Sequence, residues 1–158
     1  MSSDWLDEYI DAWLEHPAAG SGDGAASLDR LLGFMSEDVR YEDVPSNAVF
    51  EGHNGVTAMC SSAFLMSSDF TFEIVSRQTD GRHYAFENVG TGTYTGAVGP
   101  IPATGRPFSL RGISIGRVGP NGLVQTHRDY WDMAGFLVQL GVLPGPGASS
   151  AREAKEKG

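Results

Sequence analysis

The sequence predicts one α+β domain, in which helices wrap a strongly curved antiparallel sheet around an internal pocket. Three observations lead to this prediction. The 158 residues are enough for one ordinary domain and too few for two. Apolar residues recur at helical spacing as far as Phe64, and the pattern then changes to the two-residue alternation of strands. Helices followed by a run of strands are typical of α+β proteins rather than of βαβ folds.

The chain is predicted to begin with two helices. Residues 5–14 form an amphipathic pattern that should end before Pro17. Residues 18–27 have no periodicity and contain three glycines, which predicts a flexible loop. Ser27 is expected to cap a second helix, whose apolar stripe lies within residues 28–35.

A short strand and a third helix are predicted next. Residues 39–44 are rich in strand-forming residues, and Pro45 should end this strand. Asn54 is expected to cap a helix whose apolar stripe lies within residues 56–64.

The second half is predicted to be an antiparallel meander. Strands are expected at residues 70–77, 82–95, 108–118 and 123–131. The turns between them are Asp80-Gly81, the Gly- and Pro-rich segment 96–107, and Pro120-Asn121-Gly122. Glycines within residues 90–92 predict bends in a curved sheet.

A last helix and a polar tail complete the chain. Asp132 is expected to cap a helix that Gly141 and Pro144 end. Residues 145–158 are polar and have no apolar face, which predicts a disordered tail. The single domain is therefore expected to span residues 1–144.

Charge and composition argue against several classes of partner. The net charge of −9 disfavours nucleic acid and anionic membranes, because both require a positively charged surface. The single cysteine, Cys60, lies on an apolar helical face and is expected to be a buried, inert thiol. The start of the chain is acidic, and no apolar run approaches the ~20 residues of a membrane span, so a cytoplasmic location is expected.

Several short motifs occur in the order found in one known superfamily. They are His127-Arg-Asp-Tyr-Trp-Asp132, Phe136-Leu-Val-Gln-Leu-Gly141, Tyr41-x-Asp43-x-Pro45, Phe50-x-Gly52 and Ala103-Thr-Gly105-Arg-Pro-Phe108. In these motifs, from about Trp5 to Leu143, the chain resembles SnoaL-like polyketide cyclases and limonene-epoxide hydrolases of the nuclear-transport-factor-2-like superfamily. The resemblance implies a cone-shaped, cystatin-like α+β roll.

The same resemblance suggests a set of site residues. It matches Tyr41 and Asp129 to the Tyr and Asp that hold a water in the epoxide hydrolases, and places Asp43 where their Asn would be. Their Arg-x-Asp pair, which protonates the epoxide, is missing here, and Glu87 and Asn88 are the nearest polar residues. The cyclases are a better match. They imply acid/base chemistry from an Asp with a supporting His or Asn, and no metal or organic cofactor.

Alternation along the last strand defines one face, formed by Gln125, His127, Asp129 and Trp131. The resemblance makes this face the pocket wall. An Asp is unfavourable in mid-strand, so Asp129 is expected either to act as an acid or base or to pair with Arg111 or Arg128. His127 is expected to be either a proton carrier near pH 7 or a solvated residue at the edge of the sheet.

The other candidates have a structural alternative as well. Tyr41 and Asp43 share a strand face, and Tyr41 could be an ordinary core tyrosine. Asp132 is explained by its capping position alone. The expected substrate-binding residues are Trp131, Asn88, Glu87, Phe86, Trp13 and Phe64. The remaining histidines do not have metal-ligand spacing, so no metal site is predicted.

The predicted function is a cofactor-independent acid/base enzyme of cyclase, isomerase or hydrolase type. Its substrate would be a small, mostly apolar molecule such as a polyketide, terpenoid or steroid. Asp129 would be the principal acid/base group, and Tyr41 and Asp43 would position a water or substrate oxygen opposite it. The pKa of Asp129 would be raised by burial and by the Asp43 carboxylate. The alternatives are a non-catalytic binding protein of the same fold and, less favoured, an epoxide hydrolase. A homodimer packed through the sheet is also expected, because an apolar outer face tends to be covered.

Overall fold

The computed structural model describes residues 3–15, 24–96 and 99–146. Residues 18–23 of the predicted loop, and the predicted tail beyond residue 146, lie outside the described residues. The helices and strands are, in chain order, α1 (Ser3–Glu15), α2 (Gly24–Gly33), β1 (Met35–Asp43), β2 (Ala48–Glu51), α3 (Gly52–Met66), β3 (Thr71–Thr79), β4 (His83–Thr93), β5 (Pro107–Val118), β6 (Val124–Trp131) and α4 (Met133–Gln139).

The strands form one curved sheet in the order β2-β1-β6-β5-β4-β3. Strands β3 to β6 pair antiparallel, as the predicted meander requires, and the α+β class is confirmed. Strand β1 pairs antiparallel with β2 but parallel with β6, which the sequence does not predict. Parallel neighbours need a long crossover, and here α3 and the first strands of the meander supply it.

Two helices begin earlier than predicted. Helix α2 begins at Gly24, so Ser27 lies inside the helix and not at its cap. Helix α3 follows β2 directly, with Glu51 at the N-cap position and Asn54 already in the first turn. Gly52 has a φ angle of 68°, which lets the chain turn from strand into helix without a connecting loop. The sequence did not reveal β2, because four residues are too few to show a period.

Two buried clusters hold the helices against the sheet. The larger packs α1, α2 and α3 on the sheet through side chains that include Tyr9, Leu31, Val39, Val56 and Tyr84. The smaller packs α4 on β5 through Phe108, Leu110, Phe136 and Leu140. Residues of both clusters line one cavity, so the arrangement of the helices leaves a space above the sheet.

The last helix follows the prediction closely. The carboxylate of Asp132 accepts a hydrogen bond from the Gly135 backbone N–H over 2.8 Å, which is the predicted cap. Across the described ranges, none of the helices has the length and apolar character that a membrane crossing requires.

Candidate active site

A cavity of about 580 Å³ lies between the sheet and the helices. This volume is typical of pockets for small organic molecules. Its walls are mainly apolar, and among the described residues no Lys or Arg lines it. Its polar lining residues include Tyr41, Asp43, Asn88, Ser114, His127 and Asp129. Such walls favour an uncharged, largely apolar ligand, because a buried charge without a partner is costly.

Strand register brings polar residues from three strands together. Asp129 on β6 lies directly opposite Asp43 on β1 and Ser114 on β5. Cross-strand partners project from the same face of a sheet, and all three line the cavity. Arg128 projects from the other face, where its Nε atom lies 3.7 Å from Glu42, so the alternative in which it pairs with Asp129 is wrong. Arg111 is also on that outer face by alternation along β5.

Three side chains lie within hydrogen-bonding distance of the Asp129 carboxyl. Its Oδ1 accepts from the Ser114 hydroxyl over 2.6 Å and lies 3.1 Å from Nε2 of His127. Its Oδ2 accepts from the Tyr41 hydroxyl. A carboxylate has about four acceptor positions, so one position remains, and it is on Oδ2. Tyr41 is therefore a partner of Asp129 rather than only a core residue.

Burial raises the pKa of Asp129 to about 7. A quarter of the side chain remains accessible, and since Asp129 lines the cavity, a bound molecule can reach this surface. The predicted contribution of Asp43 is not among the causes of the raised pKa, which is due to burial. A carboxyl with this pKa is suited to give and take protons near neutral pH.

The structure contradicts one predicted role of His127, the solvated edge residue, and argues against the other, a proton carrier near pH 7. Its side chain is only 1% exposed, so it is not a solvated edge residue. Burial lowers its pKa to about 3, so the imidazole is neutral at pH 7 and does not take up a second proton there. Its contact with Asp129 is therefore a hydrogen bond of a neutral imidazole and not an ion pair.

Aromatic rings surround the His127 imidazole and cause this burial. Tyr41 stacks on it with ring centroids 4.9 Å apart, and Trp13 and Phe86 lie at 5.2 Å and 6.2 Å. Trp13 and Phe86 also line the cavity, where the sequence places them. These rings exclude water from the inner side of Asp129.

Asp43 has a different partner from the one expected. Its Oδ1 accepts a hydrogen bond from the Trp131 indole N–H over 2.8 Å. This bond holds the Trp131 ring against the cavity, which both residues line. Asp43 therefore orients an aromatic wall beside Asp129.

Strand β4 corrects one of the predicted substrate-binding residues. Phe86 and Asn88 line the cavity, as does Phe64 from α3, but Glu87 does not. Glu87 lies between two inward-facing residues and therefore projects from the outer face, where the Ser76 hydroxyl donates to it over 3.4 Å. The large apolar side chains at even positions of β4 are a signal that could have excluded Glu87.

Sequence reasoning also missed Ser114, Tyr9 and Tyr84. The two tyrosine hydroxyls lie 3.0 Å and 2.7 Å from Nδ1 of His127. Nothing in their local sequence distinguishes these residues from ordinary core or strand residues. The register between β4, β5 and β6 brings Ser114 and Tyr84 to the site, and the packing of α1 on the sheet brings Tyr9.

The described residues contain no group of three or more His, Cys, Asp or Glu side chains arranged to hold a metal ion. No arginine stands among the described cavity residues to support an acidic group, as the epoxide hydrolases would require.

Comparison with known proteins places the chain in a family. Among solved structures, TsrD from Streptomyces laurentii has a TM-score of 0.76 at 22% identity, over 90% of this chain and 99% of that one. A candidate SnoaL-like polyketide cyclase from Jannaschia sp. CCS1 has 0.75 at 14%, over 91% and 98%. IdmH, a candidate polyketide cyclase from Streptomyces antibioticus, has 0.68 at 21%, over 86% and 98%. These likenesses confirm the predicted fold.

No curated protein sequence matches the chain significantly. The family model of the SnoaL-like polyketide cyclases, however, matches residues 22–140, which include every strand and nearly all of the cavity wall. The chain belongs to the SnoaL-like polyketide cyclase family.

Proposed function

We propose that this protein catalyses a cofactor-independent cyclisation or isomerisation of a small, uncharged, polyketide-like molecule, with Asp129 as the acid and base. One observation carries the proposal. The Asp129 carboxyl lines an apolar cavity, is held by three side chains, and keeps one acceptor position on Oδ2. Membership of the cyclase family and the likeness to IdmH, a candidate polyketide cyclase, support the same reaction class.

The proposed reaction begins with a proton transfer to Asp129. Oδ2 takes a proton from a carbon next to a substrate carbonyl, so that a C–H bond breaks, an O–H bond forms and an enolate remains. The enolate carbon then bonds to a second carbonyl carbon of the same molecule, and Asp129 returns the proton to the resulting alkoxide. Atoms and charge balance without a co-reactant. General acid–base assistance of this kind contributes about 10²–10⁴-fold.

Hydrogen–deuterium exchange tests the first step without the natural substrate. The protein is incubated in deuterium oxide with aromatic β-keto esters, and mass spectrometry follows exchange at the carbon between the carbonyls. We expect the wild type to accelerate exchange and Asp129→Asn to lose about 10²–10⁴-fold of it. Glu87→Gln is the matched control, because Glu87 is on the outer face and should not contribute.

Each other outcome contradicts part of the proposal. Unchanged exchange in Asp129→Asn would assign the proton transfer to another residue. Binding of the esters without any exchange would support the alternative of a non-catalytic binding protein. Absence of binding would exclude a polyketide-like substrate.

A further inference from the structure

Three buried side chains from different elements form a hydrogen-bonded network that leads to Asp129. The hydroxyls of Tyr9 on α1 and Tyr84 on β4 lie 3.0 Å and 2.7 Å from Nδ1 of His127. On the other side of the ring, Nε2 of His127 lies 3.1 Å from Oδ1 of Asp129. Each of the two tyrosines and the histidine is at most 2% exposed, so protein groups rather than water satisfy these atoms.

A glycine makes the contact between Tyr84 and His127 possible. In the sheet, Gly116 on β5 lies directly between Tyr84 on β4 and His127 on β6. A Cβ atom at position 116 would overlap the Tyr84 hydroxyl and its ring carbon. Because position 116 has no side chain, the Tyr84 ring crosses β5 and its hydroxyl reaches Nδ1.

The two tyrosines determine which imidazole nitrogen carries the proton. Burial raises the pKa of both Tyr9 and Tyr84, so both hydroxyls keep their protons. The two hydroxyls lie 3.4 Å from each other, and one of them can donate to the single lone pair of Nδ1. A neutral imidazole has one N–H and one acceptor nitrogen. If Nδ1 accepts from a tyrosine, then Nε2 carries the proton and donates to Asp129. The other tautomer would place the Nε2 lone pair against the carboxylate.

We propose that Tyr9 and Tyr84 hold His127 as the neutral tautomer protonated at Nε2, so that His127 is a fixed hydrogen-bond donor that positions Asp129. His127 is then a positioning residue and not a proton carrier. A donor to the ionised carboxylate favours the charged form, which is the form that acts as a base. The tautomer does not depend on the proposed function; only its effect on turnover rests on that function.

Other titratable groups also face His127 and Asp129 from the surrounding elements. They are Tyr41 and Asp43 from β1 and Cys60 from α3, besides Tyr9 and Tyr84. Burial raises the pKa of the Cys60 thiol to about 12, so it stays neutral. The Tyr41 hydroxyl donates to Oδ2, so it does not compete with Nε2 of His127, which contacts Oδ1.

Nitrogen-15 NMR of the labelled full chain measures the tautomer directly. Two-bond proton–nitrogen spectra identify the protonated nitrogen, and comparison with His127→Gln assigns the His127 signals. We expect the wild type to show a proton on Nε2 and no His127 titration from about pH 5 to about pH 8, the range where an unperturbed His would titrate. In Tyr9→Phe/Tyr84→Phe, both tautomers should be populated, and the Asp129 titration followed by carboxyl carbon-13 should rise by about one pH unit.

Tyr94→Phe is the matched control. Tyr94 is also fully buried, but it belongs to the smaller cluster that packs α4 on β5, and its hydroxyl donates to the Ile101 carbonyl. We expect this variant to leave the His127 tautomer and the Asp129 titration unchanged. A wild-type His127 that is protonated on Nδ1, or that titrates near pH 6.5, overturns the proposal even if the double variant fails to fold.

The outcome is independent of the proposed function. A locked Nε2 tautomer in a protein that exchanges no substrate proton would refute the proposed reaction and leave the positioning role intact. Exchange activity in a protein whose His127 populates both tautomers would support the proposed reaction and refute the positioning role.

Discussion

His127 and Asp129 lie two residues apart on the same face of β6, and burial moves their pKa values in opposite directions. Nε2 of His127 is 3.1 Å from Oδ1 of Asp129. Burial lowers the pKa of His127 from 6.5 to about 3 and raises that of Asp129 from 3.8 to about 7. Between about pH 3 and about pH 7, the folded state therefore keeps His127 neutral and Asp129 protonated.

The first prediction concerns the pH dependence of stability. The contribution of Asp129 is present below pH 3.8 and is lost as pH rises through about 7. The contribution of His127 is present above pH 6.5 and is lost as pH falls through about 3. Between pH 3.8 and 6.5 the two oppose each other. We expect Asp129→Asn to lose stability on acidification there by about 1.4 kcal/mol per pH unit relative to wild type, and His127→Gln to gain as much.

Urea unfolding at several pH values measures both slopes. The wild type is the reference, and Asp80→Asn/His83→Gln is a control, because this exposed pair is on a surface turn. Parallel slopes in Asp129→Asn and His127→Gln would show that burial does not perturb the two groups as described.

The second prediction concerns the Tyr41 hydroxyl, which donates to Oδ2, the proposed reacting oxygen of Asp129. Tyr41→Phe removes the donor to Oδ2, so the ionised form of Asp129 is less stable and its pKa rises. A hydrogen bond to a charged group is worth about 1.5–3 kcal/mol, and water can replace part of it in the cavity. We expect the midpoint of the pH–rate profile for deuterium exchange to move up by about one pH unit.

Ser114→Ala should move the midpoint in the same direction, because the Ser114 hydroxyl donates to Oδ1. Ser76→Ala is the control, since the Ser76 hydroxyl donates to Glu87 on the outer face of the sheet. A midpoint that stays in place in Tyr41→Phe and Ser114→Ala would mean that these hydroxyls do not stabilise the carboxylate.

Local pattern was enough to predict the elements and one face of the site. Alternation along β6 placed His127, Asp129 and Trp131 together at the cavity, although Gln125 on the same predicted face does not line it. The cap at Asp132 follows from its own side chain. These predictions succeeded because each depends on residues within a few positions of one another.

The rest depends on tertiary register, which local pattern does not contain. Ser114 meets Asp129 only because β5 and β6 pair with this register, and Asp43 meets it only through a parallel pairing across the whole chain. The charge state of His127 could not be predicted from its neighbours in sequence either. It depends on aromatic rings from α1, β1 and β4 that come together only on folding.

The third prediction tests whether the cavity is the ligand site. Ala63 on α3 lines the cavity, and a phenyl ring at this position would occupy part of its volume. We expect Ala63→Phe to weaken binding of an uncharged hydroxyanthraquinone more than tenfold, because the ligand and the new ring cannot both fit. Quenching of tryptophan fluorescence measures the affinity, since Trp13 and Trp131 line the cavity.

Ser61→Phe is the matched control on the same helix. Ser61 is exposed, and its hydroxyl donates to the Thr57 carbonyl within α3. This variant should bind the probe like the wild type. Equal affinity in Ala63→Phe would place the probe outside the cavity.

The last prediction concerns the outer face of the sheet, which we expect to pack against a second copy of the chain. Ile113 on β5 and Tyr130 on β6 are cross-strand partners that border the cavity, but their side chains alternate to this face and remain 47% and 42% exposed. The same face carries charges of both signs, Glu87 and Arg128, which a two-fold axis can pair between copies. Adjacent exposed apolar side chains on a sheet are otherwise unfavourable in water. Sedimentation at micromolar concentration should therefore show a dimer for the wild type and a monomer for Ile113→Glu.

Leu65→Glu is the control, because Leu65 is 71% exposed on α3, away from the sheet, and should leave the dimer intact. A wild-type monomer, or an Ile113→Glu dimer, would contradict packing through this face.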